Sequence, residues 1–140
     1  MGQGETRYGA ERGREAAVSP AIVIDARAVP KGRPRFVTPG HVYTPAATRA
    51  WEDHVAWTWK CANGTTEPLT GPVVLSVIIA GRRTLSGDLD NYLKAISDAL
   101  NGVAWVDDRQ IVKIYAQKCQ GDRDSVLIHV EEEPCDTPSS

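Results

Sequence analysis

The stretch GDLDNYLKAISDALNGVAWVDD, residues 87–108, carries the clearest secondary-structure signal in the 140-residue chain. Its apolar side chains recur at steps of four, three and four residues, a spacing that predicts an amphipathic helix over residues 88–101. Asn101 and Gly102 then supply a helix stop. The predicted packing face, which would fix the helix against the rest of the domain, consists of Leu89, Leu93, Ile96 and Leu100.

The segments on either side of this helix predict a sheet and one further helix. The run at 72–79 is continuously apolar, which is typical of a strand buried on both faces. QGDRD, residues 120–124, separates two β-rich runs and predicts an antiparallel hairpin. The resulting order is β-α-β-α-β-β, an α/β (α+β) domain in which helices cover a mixed sheet. The predicted strands are 21–29, 72–79, 111–119 and 125–131, and the other helix is 46–63.

Length and composition predict one globular domain over residues 20–132. Residues 1–19 and 133–140 lack periodicity and are expected to form a flexible N-terminal arm and a C-terminal tail. The chain is 41% hydrophobic and 24% charged, as soluble proteins are. No apolar run approaches the roughly 20 residues that a membrane-spanning helix needs. The first residues also lack an apolar secretory leader, so a cytoplasmic protein without membrane contact is expected.

Cysteine and histidine patterns exclude the commonest soft-metal and disulfide frameworks. The three cysteines are odd in number and show no CxxC spacing, so reduced structural thiols are expected. The three histidines lie far apart, which does not suit a site that needs convergent ligands.

Positive charge is concentrated near the N-terminus although the whole chain carries a net charge of −2. Residues 26–50 contain five basic side chains and no acid, which is typical of a local basic surface. Within the proline-stiffened segment at 30–45, three basic residues alternate and would project to one side, as a clamp on DNA phosphates requires. The alternative is that this basic segment is a solvated loop that does not contact DNA. Candidate DNA-binding residues are Lys31, Arg33, Arg35 and, just before the acidic motif, Arg82 and Arg83.

Acidic residues at both ends of the 87–108 stretch allow two interpretations. Asp88 is placed to cap the helix, and Asp90 is one turn from Lys94 and able to pair with it. Asp107 and Asp108 would then belong to an ordinary turn. Alternatively, if the strand after Asp108 pairs beside the helix, Asp108 would lie at the same edge as Asp88 and Asp90. Three converging carboxylates would repel one another unless a cation neutralised them.

Carboxylate ligands without histidine or thiolate favour Mg²⁺, with Mn²⁺ as an alternative. Such a metal activates water and neutralises charge on a phosphoryl oxygen, while Lys94 would offer positive charge to the scissile phosphate. The set suits phosphodiester hydrolysis. A DxD motif also occurs in metal-dependent transferases, but the chain lacks a glycine-rich phosphate loop, which disfavours a phosphotransferase.

The chain resembles the RusA family of Holliday junction resolvases. The match is most specific over residues 87–118, where the family pattern DLDN, K, DALNG and DD preceding Q-[IV]-V is present, and residues 30–45 resemble the family's basic segment. The resemblance implies metal ligation by Asp88, Asp90 and Asp108, with Lys94 as the catalytic lysine. It also implies supporting roles for two neighbours, Asn91 and Asp107.

The resemblance further implies a Mg²⁺-dependent endonuclease, common in prophages, that works as a homodimer. Such enzymes make paired symmetric cuts in four-way DNA junctions, in recombination, repair or phage DNA processing. A junction-binding protein that does not cut is the alternative. Some family members use aromatic wedges, but Phe36 is the single phenylalanine and no equivalent is evident. Trp51 and Trp59 are expected in the core or a dimer surface, whereas Trp105 either packs or walls the metal site.

Overall fold

The fold is seen in a computed structural model, which describes residues 20–32, 45–64 and 66–133. The predicted element order is confirmed, although the first strand stops five residues earlier than expected. A short 3₁₀ turn, at Asp108–Gln110, precedes the third strand. The other elements are β1 (Ala21–Ile24), α1 (Pro45–Asn63), β2 (Val73–Gly81), α2 (Leu89–Leu100), β3 (Ile111–Gln120) and β4 (Ser125–Glu132).

The four strands form one mixed sheet in the order β1-β4-β2-β3, which confirms the predicted fold class. β4 runs antiparallel to both β1 and β2, while β3 runs parallel to β2. The predicted hairpin between the last two strands is therefore wrong, because β2 lies between them. Residues 121–124 cross the end of β2 instead, where the Gly121 amide donates a 3.0 Å hydrogen bond to the Gly81 carbonyl.

Only one face of β2 is fully buried, so the expectation of burial on both faces is also wrong. Alternate residues from Val73 to Gly81 point into the core, and the residues between them are half-buried or exposed. Ile78 on the second face retains 41% of its accessible surface. Apolar residues occur on both faces of β2, so the sequence does not reveal that only one face is buried.

The two helices cover the buried face of the sheet. Trp51, Val55 and Trp59 line the inner side of α1, so both tryptophans, which were expected in the core or a dimer surface, lie in the core. In α2 the predicted stripe is rotated: Ile96 and Leu100 are buried, but Leu89 and Leu93 are only half-buried. Tyr92, Ala95 and Ala99 complete the buried side of α2.

Helix α2 connects two parallel strands, and this connection fixes the direction of the helix. β2 ends at Gly81, α2 returns along the sheet, and β3 starts beside the beginning of β2, where Ile111 pairs with Val73. The start and the end of α2 therefore lie at opposite ends of the sheet. In the described ranges, no helix combines the length and apolar character that crossing a membrane requires.

Candidate active site at the start of helix α2

Two carboxylates are exposed at the start of α2, and neither makes the contact that an ordinary helix would give it. Asp88 occupies the N-cap position with extended backbone angles, but its side chain makes no capping hydrogen bond. Asp90, in the first turn, is also exposed. Among the described residues, Lys94 forms its ion pair with Asp98 and not with Asp90. Among the described residues, neither carboxylate of the DLD motif has a hydrogen-bond or ion-pair partner that would compete with a ligand.

Lys94 lies one turn beyond Asp90 and extends into solvent, with 62% of its side chain exposed. Its ammonium is 3.8 Å from Asp98, a weak i,i+4 pair at the surface. Asp98 therefore neutralises the Lys94 ammonium only weakly.

Lys31, a candidate DNA-binding residue, is engaged by two acids. Its ammonium lies 2.7 Å from Glu52 of α1 and 2.7 Å from Asp98 of α2. The hydrogen bond that Lys31 donates to Asp98, followed by the one it donates to Glu52, raises the pKa of Lys31 above its ordinary value. The Lys31 amide also donates to the Asn91 carbonyl at 2.9 Å, which ties the basic segment to α2. Arg33 and Arg35 lie outside the described residues, and the DNA-binding role of all three stays a prediction.

The loop before Asp88 is fixed from two sides. From β3, Lys118 donates hydrogen bonds to the carbonyls of Leu85 at 3.2 Å and Gly87 at 2.8 Å. From α2, the buried Tyr92 accepts a 3.2 Å hydrogen bond from the Gly87 amide. A β-carbon at Gly87 would lie 2.9 Å from Pro30 and 3.1 Å from the Tyr92 ring, so this position requires glycine. The backbone that carries Asp88 is therefore clamped.

The candidate residues Arg82 and Arg83 are exposed on the same loop, where backbone contacts hold them. Arg27 donates to the Arg83 carbonyl at 3.4 Å and to the Thr84 carbonyl at 2.8 Å. Asp124 accepts from the Arg82 amide at 2.9 Å. That backbone hydrogen bond, with a smaller effect from the Arg27 charge, lowers the pKa of Asp124. Two guanidinium groups are thus presented on a braced loop that leads to Asp88.

Asp108 is held by a tryptophan at the other end of α2. The Trp105 indole, which is fully buried, donates a 2.7 Å hydrogen bond from Nε1 to Asp108 Oδ1. Asp107 caps the 3₁₀ turn by accepting from the Arg109 amide at 2.9 Å, and Gln110 closes a capping box with it. Trp105 therefore packs in the core and also orients Asp108, while Asp107 shapes the turn.

The structure does not bring Asp108 to the other two predicted ligands. Trp105 bridges to Asn101, the residue after the last turn of α2, whereas Asp88 precedes the first turn. A helix of 12 residues separates the two ends by roughly 18 Å. In the described part of the chain, no group of three acidic, histidine or cysteine side chains is close enough to hold a metal ion. The expected convergence at one edge is therefore wrong within a single chain.

Sequence reasoning missed the residues that support the two ends of the site. Lys118, Tyr92 and Arg27 act on the loop before Asp88 through contacts that depend on sheet register or on burial. Trp105 carried a partial signal, since it lies three residues before Asp108. Its spacing in the sequence did not show whether Trp105 only packs in the core or also orients Asp108.

Comparison with known families agrees with this set of residues. No curated protein matches the chain. The family model described as endodeoxyribonuclease RusA matches residues 25–131. This range begins directly after β1 and includes both helices, β2, β3, all of β4 except its last residue, and every acidic residue discussed above. The match covers far more than half of the chain, and the chain therefore belongs to the RusA family of endodeoxyribonucleases.

Proposed function

We propose that this protein is a Mg²⁺-dependent, structure-selective endonuclease that resolves Holliday junctions by paired symmetric hydrolysis, as a homodimer. The observation that carries the proposal is the pair of exposed carboxylates at the start of α2, which have no partner in the described part of this chain of the nuclease family. The helix dipole favours acids at this end of α2, but two neighbouring carboxylates also repel each other, and a bound cation would offset that repulsion. A cytoplasmic role in recombination, repair or phage DNA processing accords with that activity.

Asp88 and Asp90 fit a hard divalent cation because both offer carboxylate oxygens without a competing soft ligand. Asp108, at the far end of α2, does not join them within one chain. When bound, Mg²⁺ or Mn²⁺ would supply a polarised water and a positive charge next to the phosphate. Every other contribution to catalysis must come from side chains of the protein.

Positive side chains around the two acids support a phosphate-binding role. Lys94 presents an exposed ammonium one turn along the helix, where it would neutralise charge that develops on the scissile phosphate. Arg82 and Arg83 project from the braced loop and would contact neighbouring phosphates. We expect recognition of the branched shape to come from such phosphate contacts rather than from base reading.

The proposal is tested on a synthetic four-way junction, with and without Mg²⁺, using wild-type protein and the Asp90→Asn variant. We expect symmetric nicks that require Mg²⁺, and a loss of roughly 10²-fold or more in the cleavage rate for Asp90→Asn because a metal ligand is lost. Junction binding, measured by gel shift without metal, should remain. The measurement is the rate of strand scission on end-labelled arms.

Asp122→Asn is the matched control, since Asp122 is an exposed aspartate in the β3–β4 turn and its loss changes the net charge equally. This control should cut at the wild-type rate. If wild-type protein binds the junction without cutting it in Mg²⁺ or Mn²⁺, the protein is a junction-binding protein that does not cleave, and the proposed activity is wrong.

A further inference from the structure

Charged side chains from the basic segment and from both helices meet beside the exposed face of α2. Lys31, where the basic segment begins, places its ammonium 2.7 Å from Glu52 of α1 and 2.7 Å from Asp98 Oδ2 of α2. The ammonium of Lys94 lies 3.8 Å from Oδ1 of the same Asp98. The positive and negative charges of this cluster balance, and both lysines share Asp98.

Asp98 binds these two lysines unequally. Its distance to Lys31 is that of a charge-assisted hydrogen bond, whereas its distance to Lys94 is beyond hydrogen-bond range. The Lys31 side chain is 32% exposed and the Lys94 side chain 62%, so water screens the Lys94 pair more strongly. An i,i+4 pair in which the lysine precedes the acid is also the less favourable order in a helix. Asp98 therefore pairs mainly with Lys31, which leaves the Lys94 ammonium available.

The surroundings of the Lys31 ammonium do not suit a contact with DNA. The carboxylates of Glu52 and Asp98 each lie 2.7 Å from it, and their combined negative charge exceeds its own positive charge. The hydrogen bonds that Lys31 donates to Asp98 and Glu52 raise its pKa, so the lysine stays charged within this cluster. A phosphate that approached Lys31 would also approach both acids and would be repelled by them. The charge of Lys31 is therefore used inside the protein.

The backbone at Lys31 is held by contacts that do not involve its side chain. The Lys31 amide donates a 2.9 Å hydrogen bond to the Asn91 carbonyl in the first part of α2. The preceding carbonyl, that of Pro30, accepts a 3.3 Å hydrogen bond from the Thr48 hydroxyl of α1. Substitution of the Lys31 side chain leaves both contacts in place, so it removes the ammonium without releasing the basic segment from the helices.

Removal of the Lys31 ammonium would change the pairing of Lys94. Among the described residues, Lys94 would be the remaining cation in contact with Asp98. The long, exposed side chain of Lys94 is able to close the 3.8 Å gap, and the uncompensated charges of Asp98 and Glu52 would both favour that movement. An ammonium that is held by a carboxylate neutralises less of the charge that develops on a phosphate.

We propose that Lys31 is a positioning residue for Lys94: it occupies Asp98 and thereby keeps the Lys94 ammonium available to the scissile phosphate. This inference rests on the proposed function, in which Lys94 neutralises charge on that phosphate. Lys31 itself does not contact DNA, in contrast to the role that the sequence predicts for it. The basic segment is thus coupled to the active-site helix through one shared carboxylate.

The test measures single-turnover cleavage of a four-way junction at saturating protein and Mg²⁺. Lys31→Met should lower the rate about fivefold, because pairing of Lys94 with Asp98 then competes with the phosphate. Addition of Asp98→Asn to this variant should restore the rate to within about twofold of wild type, since the competing carboxylate is gone. Addition of Glu52→Gln is the matched control. It relieves the same repulsion between the two acids but leaves Asp98 charged, so the rate should stay low.

Junction binding distinguishes a positioning role from a phosphate contact. We expect the salt dependence of binding, measured without metal, to be the same for Lys31→Met and wild type. Loss of a phosphate contact would lower the slope of log affinity against log salt by about 0.9. A slope flattened by that amount would overturn the inference and identify Lys31 as part of the DNA clamp.

A second readout needs neither metal nor DNA. Acylation of Lys94 by a limiting amount of an N-hydroxysuccinimide ester of acetate is followed by mass spectrometry of its peptide. Because the amine must lose its proton to react, a closer ion pair slows the reaction. We expect acylation to be about fivefold slower in Lys31→Met, to recover with Asp98→Asn and to stay slow with Glu52→Gln.

The outcomes separate this inference from the proposed function. Wild-type cleavage and acylation rates in Lys31→Met, or equal rescue by Glu52→Gln and Asp98→Asn, would overturn the positioning role, since Lys31 would then act only through helix packing. Wild-type protein that does not cut refutes the proposed function, while acylation still tests the contact between Lys94 and Asp98. Thermal unfolding checks each variant. If Lys31→Met does not fold, the two double variants, which have equal charge and retain one acid each, give the same decision.

Discussion

At the scale of single residues, the contact that most directly links the core to the proposed chemistry joins Trp105 to Asp108. The indole is fully buried and donates a 2.7 Å hydrogen bond to the carboxylate. Groups that orient a metal ligand commonly change metal affinity by 10- to 100-fold when they are removed. A substitution of Trp105 that keeps an aromatic ring but removes the N–H group therefore separates its packing role from its role in orienting Asp108.

Trp105→Phe should lower Mn²⁺ affinity by roughly tenfold, because Asp108 loses the donor that orients it. It should also lower the free energy of unfolding by about 1–3 kcal/mol through the lost hydrogen bond and the smaller ring. Trp51→Phe is the matched control, since Trp51 is equally a core residue but its indole nitrogen has no hydrogen-bond partner. Metal titration and chemical denaturation of both variants check the prediction, and equal loss of affinity in both would contradict it.

The sequence predicted the residues of the site better than the contacts that hold them. Asp88, Asp90 and Lys94 lie within seven residues, so helical spacing alone relates their positions. Among the described residues Lys94 pairs with Asp98 and not with Asp90, and Lys31 binds the same Asp98 from a distant part of the chain. Asp90 and Asp98 are equally far from Lys94 along the helix, so the choice between them depends on tertiary contacts and leaves no signal in the local sequence.

At the scale of elements, the loop between β2 and α2 depends on β3 for its shape. Lys118 reaches from β3 to two carbonyls of this loop, and Gly87 fits closely against Pro30 and Tyr92. Lys118→Met keeps the length of the side chain and removes its donors. We expect amide hydrogen exchange over residues 85–88 to become about tenfold faster without metal, because the clamp on the loop is lost.

Lys113→Met is the control for that substitution. Lys113 lies on the same strand, but its ammonium pairs with Glu133 at 3.5 Å and makes no contact with the loop. Hydrogen exchange over residues 85–88 in this variant should match that of wild type. Mass spectrometry of the two variants gives the comparison, and an unchanged exchange rate in Lys118→Met would show that the loop is held by other contacts.

Element boundaries were predictable, whereas strand neighbours were not. Residues 121–124 join β3 to β4, and a connection this short usually links paired strands. Four residues extend about 13 Å, which is also enough to pass over one intervening strand at about 4.8 Å per step. Turn length therefore allowed both arrangements. Apolar residues on the second face of β2 also hid its one-sided burial. The sequence of β2 therefore lacked the alternating pattern from which its place in the sheet could be predicted.

At the scale of the whole molecule, the fold decides where chemistry is possible. The expectation that Asp108 would meet Asp88 depended on the strand after Asp108 pairing beside the helix with its start next to Asp88. A β-α-β connection between parallel strands carries the chain the full length of the sheet and back, so residues on either side of the helix are separated by its length. The parallel pairing of β2 and β3 therefore places Asp88 and Asp108 of one chain at opposite ends of the sheet.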